Sequence, residues 1–424
     1  MELILDLSMP VRLAILFVVG VLMGASANVG IYRLAFMYRA IDPWLRKHEE
    51  ASPRRPLDRL PIIGWFSLRR ESTIFGTAHW IRPMVLEILC GVGLALLYWW
   101  QIGETSLWQG AVGTLGFSEE MAIRHQQFLM QAILIWFLLI ATMIDIDEMY
   151  IPDAITIPGT LIALLLAALL PACRLPEMSD RWDPILHAVV PPATYQSMNI
   201  VSPRDWPAVF FEGWTLAVGI ACFCLWCVAI MPRTWYNRHG IVRAIQLCIA
   251  RLKREGQTYL LLVIGVVGSA LLYIPWKIGG QVWESTFSAL IGMAVGGGII
   301  WAVRIVAEIV MQREAMGFGD VTLMAMIGAM LGWQATIIIF FLAPLAGAVV
   351  GILYKVFKKE SEIPYGPFLS VGTVMMLLFW RPIWDRVSVI FGIGLLVPIT
   401  MGVCILLLGL LLGLWQAIRK LITK

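Results

Sequence analysis

Charge is what this sequence has least of. Asp, Glu, Lys and Arg make up only 14% of its 424 residues, while 59% are hydrophobic. Soluble domains carry about 25% charged and 45–50% apolar residues, so an ordinary water-soluble protein is excluded. Basic residues are missing from the first ten positions, MELILDLSMP. A cleavable secretory signal needs a basic start and a shorter apolar stretch than the one that follows. The first run is therefore expected to stay in place as a membrane span. Histidine is rare too: His48, His79, His125, His187 and His239 are scattered in or near loops, and no HExxH occurs. That removes a zincin-type protease, and no serine within the apolar runs has an evident histidine partner. The seven cysteines lie mostly in apolar runs and form no disulfide framework. CFCLWC (Cys222–Cys227) resembles a metal knuckle, but its setting, VGIACFCLWCVAIM, reads as a lipid-embedded helix with small thiols as filler.

Long apolar runs are abundant. A spanning helix needs roughly 20 mostly apolar residues, which gives about ten or eleven spans. They fall near 11–37, 84–100, 127–145, 155–171, 208–231, 258–276, 285–311, 321–334, 335–354, 367–380 and 388–417. The fold class is all-α and polytopic. Lys and Arg concentrate in 38–83, in 232–257, around Lys355, Lys358 and Lys359, and in the tail RKLITK. These segments are expected in the cytoplasm. Loops 101–126 and 172–206 are poor in Lys and Arg, carry acids, and belong on the other side. The basic stretches are explained by topology, so nucleic acid is not an expected partner. Gly292/Gly296, Gly347/Gly351 and Gly409/Gly413 are small-xxx-small pairs that permit close helix contact in lipid.

Acids at membrane depth are costly and usually functional. Here they are Glu87, Asp145, Asp147, Glu148, Asp153, Glu308, Glu314 and Asp320. By the topology above, the spans ending at TMIDIDEMYIPD and just before REAMGFGD both run inward, so Asp145 and Asp320 reach the same depth. Two carboxyl groups close together cannot both ionise cheaply and would share a proton. One can then activate water while the other polarises a carbonyl. Gly317 and Gly319 beside Asp320 would allow a close backbone approach. Asp147 lies two positions, about 200°, around a helix from Asp145, so only one of them should meet Asp320. Either motif alone would equally suit an interfacial helix end in contact with water.

Several segments then resemble the type IV prepilin peptidases, intramembrane aspartic proteases of the GxGD class. GASANVGIYRL (Gly24–Leu34) is similar to the family's first-helix signature, and WIRPMVLEILCG (Trp80–Gly91) to the segment leading into its second helix. IDIDEMYIPDAITIPG (Ile144–Gly159) is similar to the first catalytic segment, with Asp145 ahead of Pro152. EAMGFGDVTLMAMIGAMLGW (Glu314–Trp333) resembles the GxGD segment, and IPYGPFLSVG (Ile363–Gly372) a later one.

The resemblance implies a GxGD-type helical bundle in a bacterial inner membrane, its active site facing the cytoplasm. It implies Asp145 and Asp320 as the catalytic pair and prepilin or pseudopilin precursors as substrates, cut after a glycine. Glu148, Asp153 and Glu314 are candidate contacts for a basic leader. Typical members hold zinc through two CxxC pairs in the first cytoplasmic loop. Here 38–83 has no cysteine, so no metal site is carried over and proteolysis is expected to need no cofactor. N-methylation of the new terminus, with S-adenosylmethionine as donor, stays open. So does the role of Thr322, where the family often has lysine. The division expected is 1–100 (first helix, basic loop, second helix), 127–171 with 285–380 (membrane-embedded peptidase), 172–284 (inserted outer loop, helix pair, basic inner loop) and 388–424 (last helix and tail). A polytopic transporter or scaffold without catalysis, or a GxGD protease with other membrane substrates, would share much of this composition.

Overall fold

A computed structural model of the chain describes residues 7–35, 41, 43–44, 49–103, 117–177, 181–183, 188–190, 196–204, 206–231, 256–312, 316–357, 364–394 and 396–422. The principal helices are α1 (Met9–Leu34), α2 (Ile81–Tyr98), α3 (Phe117–Glu148), α4 (Asp153–Leu169), α5 (Gly213–Ile230) and α6 (Gly256–Leu271). They continue with α7 (Tyr273–Ile278), α8 (Gly280–Met311), α9 (Phe318–Leu331), α10 (Trp333–Phe357), α11 (Gly366–Leu378), α12 (Trp380–Phe391) and α13 (Leu396–Ile422). Extended structure among the described residues is confined to two short antiparallel pairs, Pro176–Glu177 with Gln196–Ser197 and Arg181–Asp183 with Ala188–Val190. The chain is an all-α polytopic membrane protein.

Seven of the described helices are long and apolar enough to cross a membrane, or eight if α11 and α12 form one bent span. Three shorter apolar helices, Asp153–Leu169, Phe318–Leu331 and Trp333–Ala348, add to these. Two expected boundaries are corrected. The segment read as 367–380 and the start of the one read as 388–417 are interrupted by α12, which bends 93° from α11, and the last helix begins only at Leu396. The reason lies in α12 itself. Trp380, Trp384 and Phe391 are buried on one face, with the tryptophan rings stacked at 5.0 Å. Arg381 and Asp385 pair across one turn at 3.0 Å on another. Such a two-faced helix suits a boundary rather than a lipid-buried run. Helix α3 also begins well before its expected span, at Phe117, in sequence first read as an outer loop.

Helix α9 is the centre of the bundle. Every residue from Asp320 to Leu331 is buried, so its sequence reads apolar all round, as a helix with neighbours on every side must. Its tightest partner is α8. A Cβ on Gly292 would strike the Gly328 carbonyl oxygen, and one on Gly328 would strike that of Gly292. One turn along, a Cβ on Gly296 would lie 2.6 Å from the Met324 carbonyl oxygen. Backbones this close are what small residues allow in lipid, where packing rather than water drives helix association. On another side Gly159 of α4 leaves room for Met326. Gly332, in a conformation with φ of 97° that side chains disfavour, then turns the chain from α9 into α10.

The helix pair α1–α2 is built in the same way, with Gly24 against the Glu87 backbone. The described part of the basic loop between them is held by polar contacts. Arg70 grips Asp58 at 2.6 and 2.8 Å, and Arg54 meets Glu71 at 2.5 Å. Glu87, itself buried, accepts from the Ile62 amide at 2.5 Å, the Trp65 indole at 2.8 Å and the Asn28 amide at 3.1 Å.

Candidate active site

Helix α3 delivers the first carboxylate. Its final turn ends at Glu148, and Met149 at φ 53° breaks the helix, its amide donating to the Asp145 carbonyl at 2.8 Å. The helical period then sorts the two aspartates as expected. Asp145 is only 4% exposed and faces the bundle. Asp147 lies outside and is clasped by Arg82 of α2, whose Nη1 reaches both carboxylate oxygens at 2.8 Å.

The second carboxylate comes from the first turn of α9. Gly317 is its N-cap, in an extended conformation, and Asp320 sits within the first turn, 7% exposed. Free amides and the positive end of the helix dipole make this a favourable place for a carboxyl group. Asp320 is close enough to Asp145 and to Arg304 of α8 to feel the charge of both. The Arg304 guanidinium lies 5.7 Å from the centre of the Phe318 ring.

Two glycines close the space around the pair. A Cβ on Gly319 would come within 2.8 Å of Ile151 Cβ and 3.0 Å of its carbonyl oxygen, so the IDIDEMYIPD link runs directly over the first turn of α9. Gly366, the first residue of α11, presents its backbone to Asp145, and a Cβ there would strike Asp145 Oδ2. That oxygen is sealed from solvent and lacks a well-formed hydrogen bond. Tyr365, just before α11, completes the wall. Burial, with the Asp320 charge second, pushes its phenol up to about 12. Farther up the same helix pair, the Thr142 hydroxyl donates to Ser370 Oγ at 2.8 Å.

Of the expected residues, Asp145, Asp320, Gly317 and Gly319 stand together. Glu148 and Asp153 flank the same link, both half-buried. Glu314 lies outside the described residues. Tyr365, Gly366, Arg304 and Ile151 belong to this neighbourhood but were not read as site residues. IPYGPF was a visible signal for two of them, without a stated chemistry. Among the described residues no group of three or more His, Cys, Asp or Glu is placed to hold a metal ion. Cys222, Cys224 and Cys227 are spread around α5, half-buried, exposed and buried in turn.

Residues 255–352 match the type IV leader peptidase family. The matched stretch runs from α6 into α10 and takes in Gly317, Gly319, Asp320 and Arg304; Asp145 lies outside it. Similar relatives include prepilin leader peptidase/N-methyltransferases from three bacteria. The Aeromonas hydrophila protein is 36% identical over 105 residues, 24% of this chain and 36% of the relative. That of Burkholderia pseudomallei is 33% identical over 100 residues, 23% and 32% of the two chains. That of Pseudomonas aeruginosa is 37% identical over 94 residues, 22% and 32%. The chain thus spans about a third of the length of the curated relatives it matches. No solved structure matches it.

Proposed function

We propose that the protein is a membrane-embedded aspartic endopeptidase that removes the leader from type IV prepilins or type II secretion pseudopilins. In this reading it cuts after a glycine, on the cytoplasmic side of the substrate's hydrophobic segment. The observation that carries it is the meeting of Asp145 and Asp320. Two carboxyl groups from distant parts of the chain share one buried place beside the glycine-lined backbones of Ile151 and Gly366.

The chemistry follows from a shared proton. The ionised aspartate takes a proton from water, whose oxygen adds to the scissile carbonyl carbon, while the protonated aspartate donates to the carbonyl oxygen. The tetrahedral intermediate collapses as its amide nitrogen is protonated and the C–N bond breaks, which leaves a new carboxylate and a new amine. Glycine at 319 and 366 lets backbone rather than side chain border the carboxylates, as a substrate strand lying across them needs.

Glu148 and Asp153, which flank the link, and Glu314, six positions before Asp320 in sequence, are the proposed contacts for a basic leader. The proposed organisation keeps 127–171 and 285–380 as the peptidase, with 1–100 as the basic-loop region, 172–284 as an insertion and the last helix as a further element. The shared name of the relatives gives them two activities, peptidase and N-methyltransferase. The mechanism above uses no metal and no methyl donor. The loop 38–83 contains no cysteine, so it does not fit a thiolate-bound zinc.

The test is cleavage of a prepilin by the purified full chain, with mass spectrometry of the mature N-terminus. Asp145→Asn and Asp320→Asn should each lower cleavage by about 10²–10⁴-fold, the usual weight of a general acid or base. Cleavage at the wild-type rate in either variant would sink the dyad. Absence of any product from the wild-type chain would favour a polytopic protein without catalysis. The same spectrum reads any methyl group on the new terminus.

A further inference from the structure

The last turn of α3 carries Asp145 on its inner face, yet its outer face and the two residues after it are in the open. Ile146 is 53% exposed, Met149 58% and Tyr150 47%, and the helix stops one residue after Asp147, at Glu148. The inner face is packed, with Ile144 and Asp145 buried, but a helix end open on its outer face is prone to fray, and fraying here would rotate Asp145 away from Asp320.

What fixes the turn from outside is Arg82. Its Nη1 meets both oxygens of Asp147 at 2.8 Å, and its Nη2 reaches back to the Met143 carbonyl and sulfur, each at 3.4 Å. One guanidinium thus holds the side chain two places after Asp145 and the carbonyl two places before it. A planar, permanently charged fork is suited to such a double grip, and a cation at a helix C-terminus is favoured by the dipole as well.

The arginine stands on firm ground. It occupies the first turn of α2, where the Asn28 amide of α1 donates to the Pro83 carbonyl at 2.9 Å and to Glu87 at 3.1 Å. The α1 backbone lies against Glu87 there, so close that a Cβ added to Gly24 would lie 2.7 Å from the Glu87 Cα. The clasp therefore runs from the anchored start of α2 to the exposed outer face of the end of α3.

We infer that Arg82 and Asp147 are positioning residues for the proposed cleavage, setting the angle at which Asp145 faces Asp320. The inference rests on the peptidase reading. Neither residue touches the buried pair itself, so their loss should lower kcat and leave KM within about threefold.

The experiment measures prepilin cleavage by full-length Arg82→Met, Arg82→Lys, Asp147→Asn and the exchange Arg82→Asp/Asp147→Arg, with Asp145→Asn as control. Arg82→Met and Asp147→Asn should each lose about tenfold in kcat, equivalent to about 1.4 kcal/mol. The exchange should recover most of the loss, because it rebuilds the ion pair without either native side chain. If Arg82→Met does not fold, as judged by near-UV circular dichroism, Arg82→Lys decides: it keeps the charge but not the fork and should fall between. Unchanged kcat in the single variants, a loss confined to KM, or an exchange no better than either single variant would overturn the positioning role. Those results with an inactive Asp145→Asn would leave the dyad standing. An active Asp145→Asn, or a wild type that does not cleave, would remove both.

Discussion

Gly366 and Asp145 are in backbone-to-carboxylate contact across 221 residues of sequence, and the contact leaves no room for a methyl group at position 366. The consequence is specific. Gly366→Ala would push either the Asp145 carboxylate or the start of α11 aside, and overpacking of this kind costs about 1–3 kcal/mol. The next residue offers little relief, because it is Pro367, whose fixed φ makes the start of α11 stiff. Cleavage of a prepilin by Gly366→Ala should fall at least about tenfold, the kinetic weight of about 1.4 kcal/mol, while far-UV circular dichroism of the detergent-solubilised protein stays unchanged.

The α8–α9 crossing yields a prediction about stability rather than activity. Gly292 and Gly328 face each other so closely that each would strike the other's carbonyl. Gly328→Ala alone should lower the thermal midpoint in detergent, and Gly292→Ala/Gly328→Ala should lose less than the sum of the two single changes, because the first substitution already separates the helices. Gly298, which has open space where its Cβ would lie, is the control and should tolerate alanine.

How far the sequence foretold this arrangement depends on the range of the cause. The helical period showed that Asp145 and Asp147 face opposite ways, while the choice of Asp145 came from the resemblance through its spacing to Pro152; Asp145 is buried and Asp147 exposed. The glycines at 317 and 319 were visible because they flank a charge. Gly366 and Tyr365 were not assigned, since what makes them matter is contact with residues distant in the chain. Arg82 was counted only as a basic residue in a loop, though it is the second residue of α2 and its partner is Asp147. The kink at α12 escaped for another reason. Its buried apolar residues, Trp380, Trp384 and Phe391, cover one face only, and a window average cannot tell a two-faced helix from a span.

The loop between α1 and α2 leads to a prediction on pH and metal together. Arg70 holds the Asp58 carboxyl well below the usual carboxylate range, chiefly through their hydrogen bonds, while Asp58 raises Arg70 in return. A carboxylate whose folded value is depressed stabilises the fold fully above its unfolded value, about 3.9, and that contribution disappears as pH falls toward the folded value. Amide exchange across 51–76 should therefore stay slow at neutral pH and rise progressively below about pH 4. Asp58→Asn should show fast exchange already at neutral pH, with a weaker dependence on acid. Because ion pairs hold the described loop and it lacks cysteine, a chelator should leave its exchange unchanged. Faster exchange after chelation would contradict this account.

At the end of the bundle reached by the loop after α4, Arg174 is wholly buried and makes the strongest case for a polar keystone. Its Nε donates to the Met198 carbonyl at 3.0 Å, its own carbonyl accepts from Gln127 at 2.9 Å, and burial pushes its guanidinium down to about 10. Nearby, Asn199 donates to Glu284 of α8 at 2.9 Å and its carbonyl accepts from Gln334 of α10 at 2.6 Å. One arginine thus lies where the loop after α4 meets α3, α8 and α10. Arg174→Met keeps the volume but leaves the Met198 carbonyl without its donor and Glu284 without the nearby positive charge. The unmade bond alone is worth about 1–3 kcal/mol, so the thermal midpoint in detergent should drop. Adding Glu284→Gln should return part of that loss, because it removes the buried charge that the arginine had balanced. Arg174→Lys should rescue less than the charge suggests, since lysine lacks the Nε donor at that position along its stem. A midpoint unchanged by Arg174→Met would show that the loop is held there by its apolar residues, Cys173, Leu175 and Met198, instead.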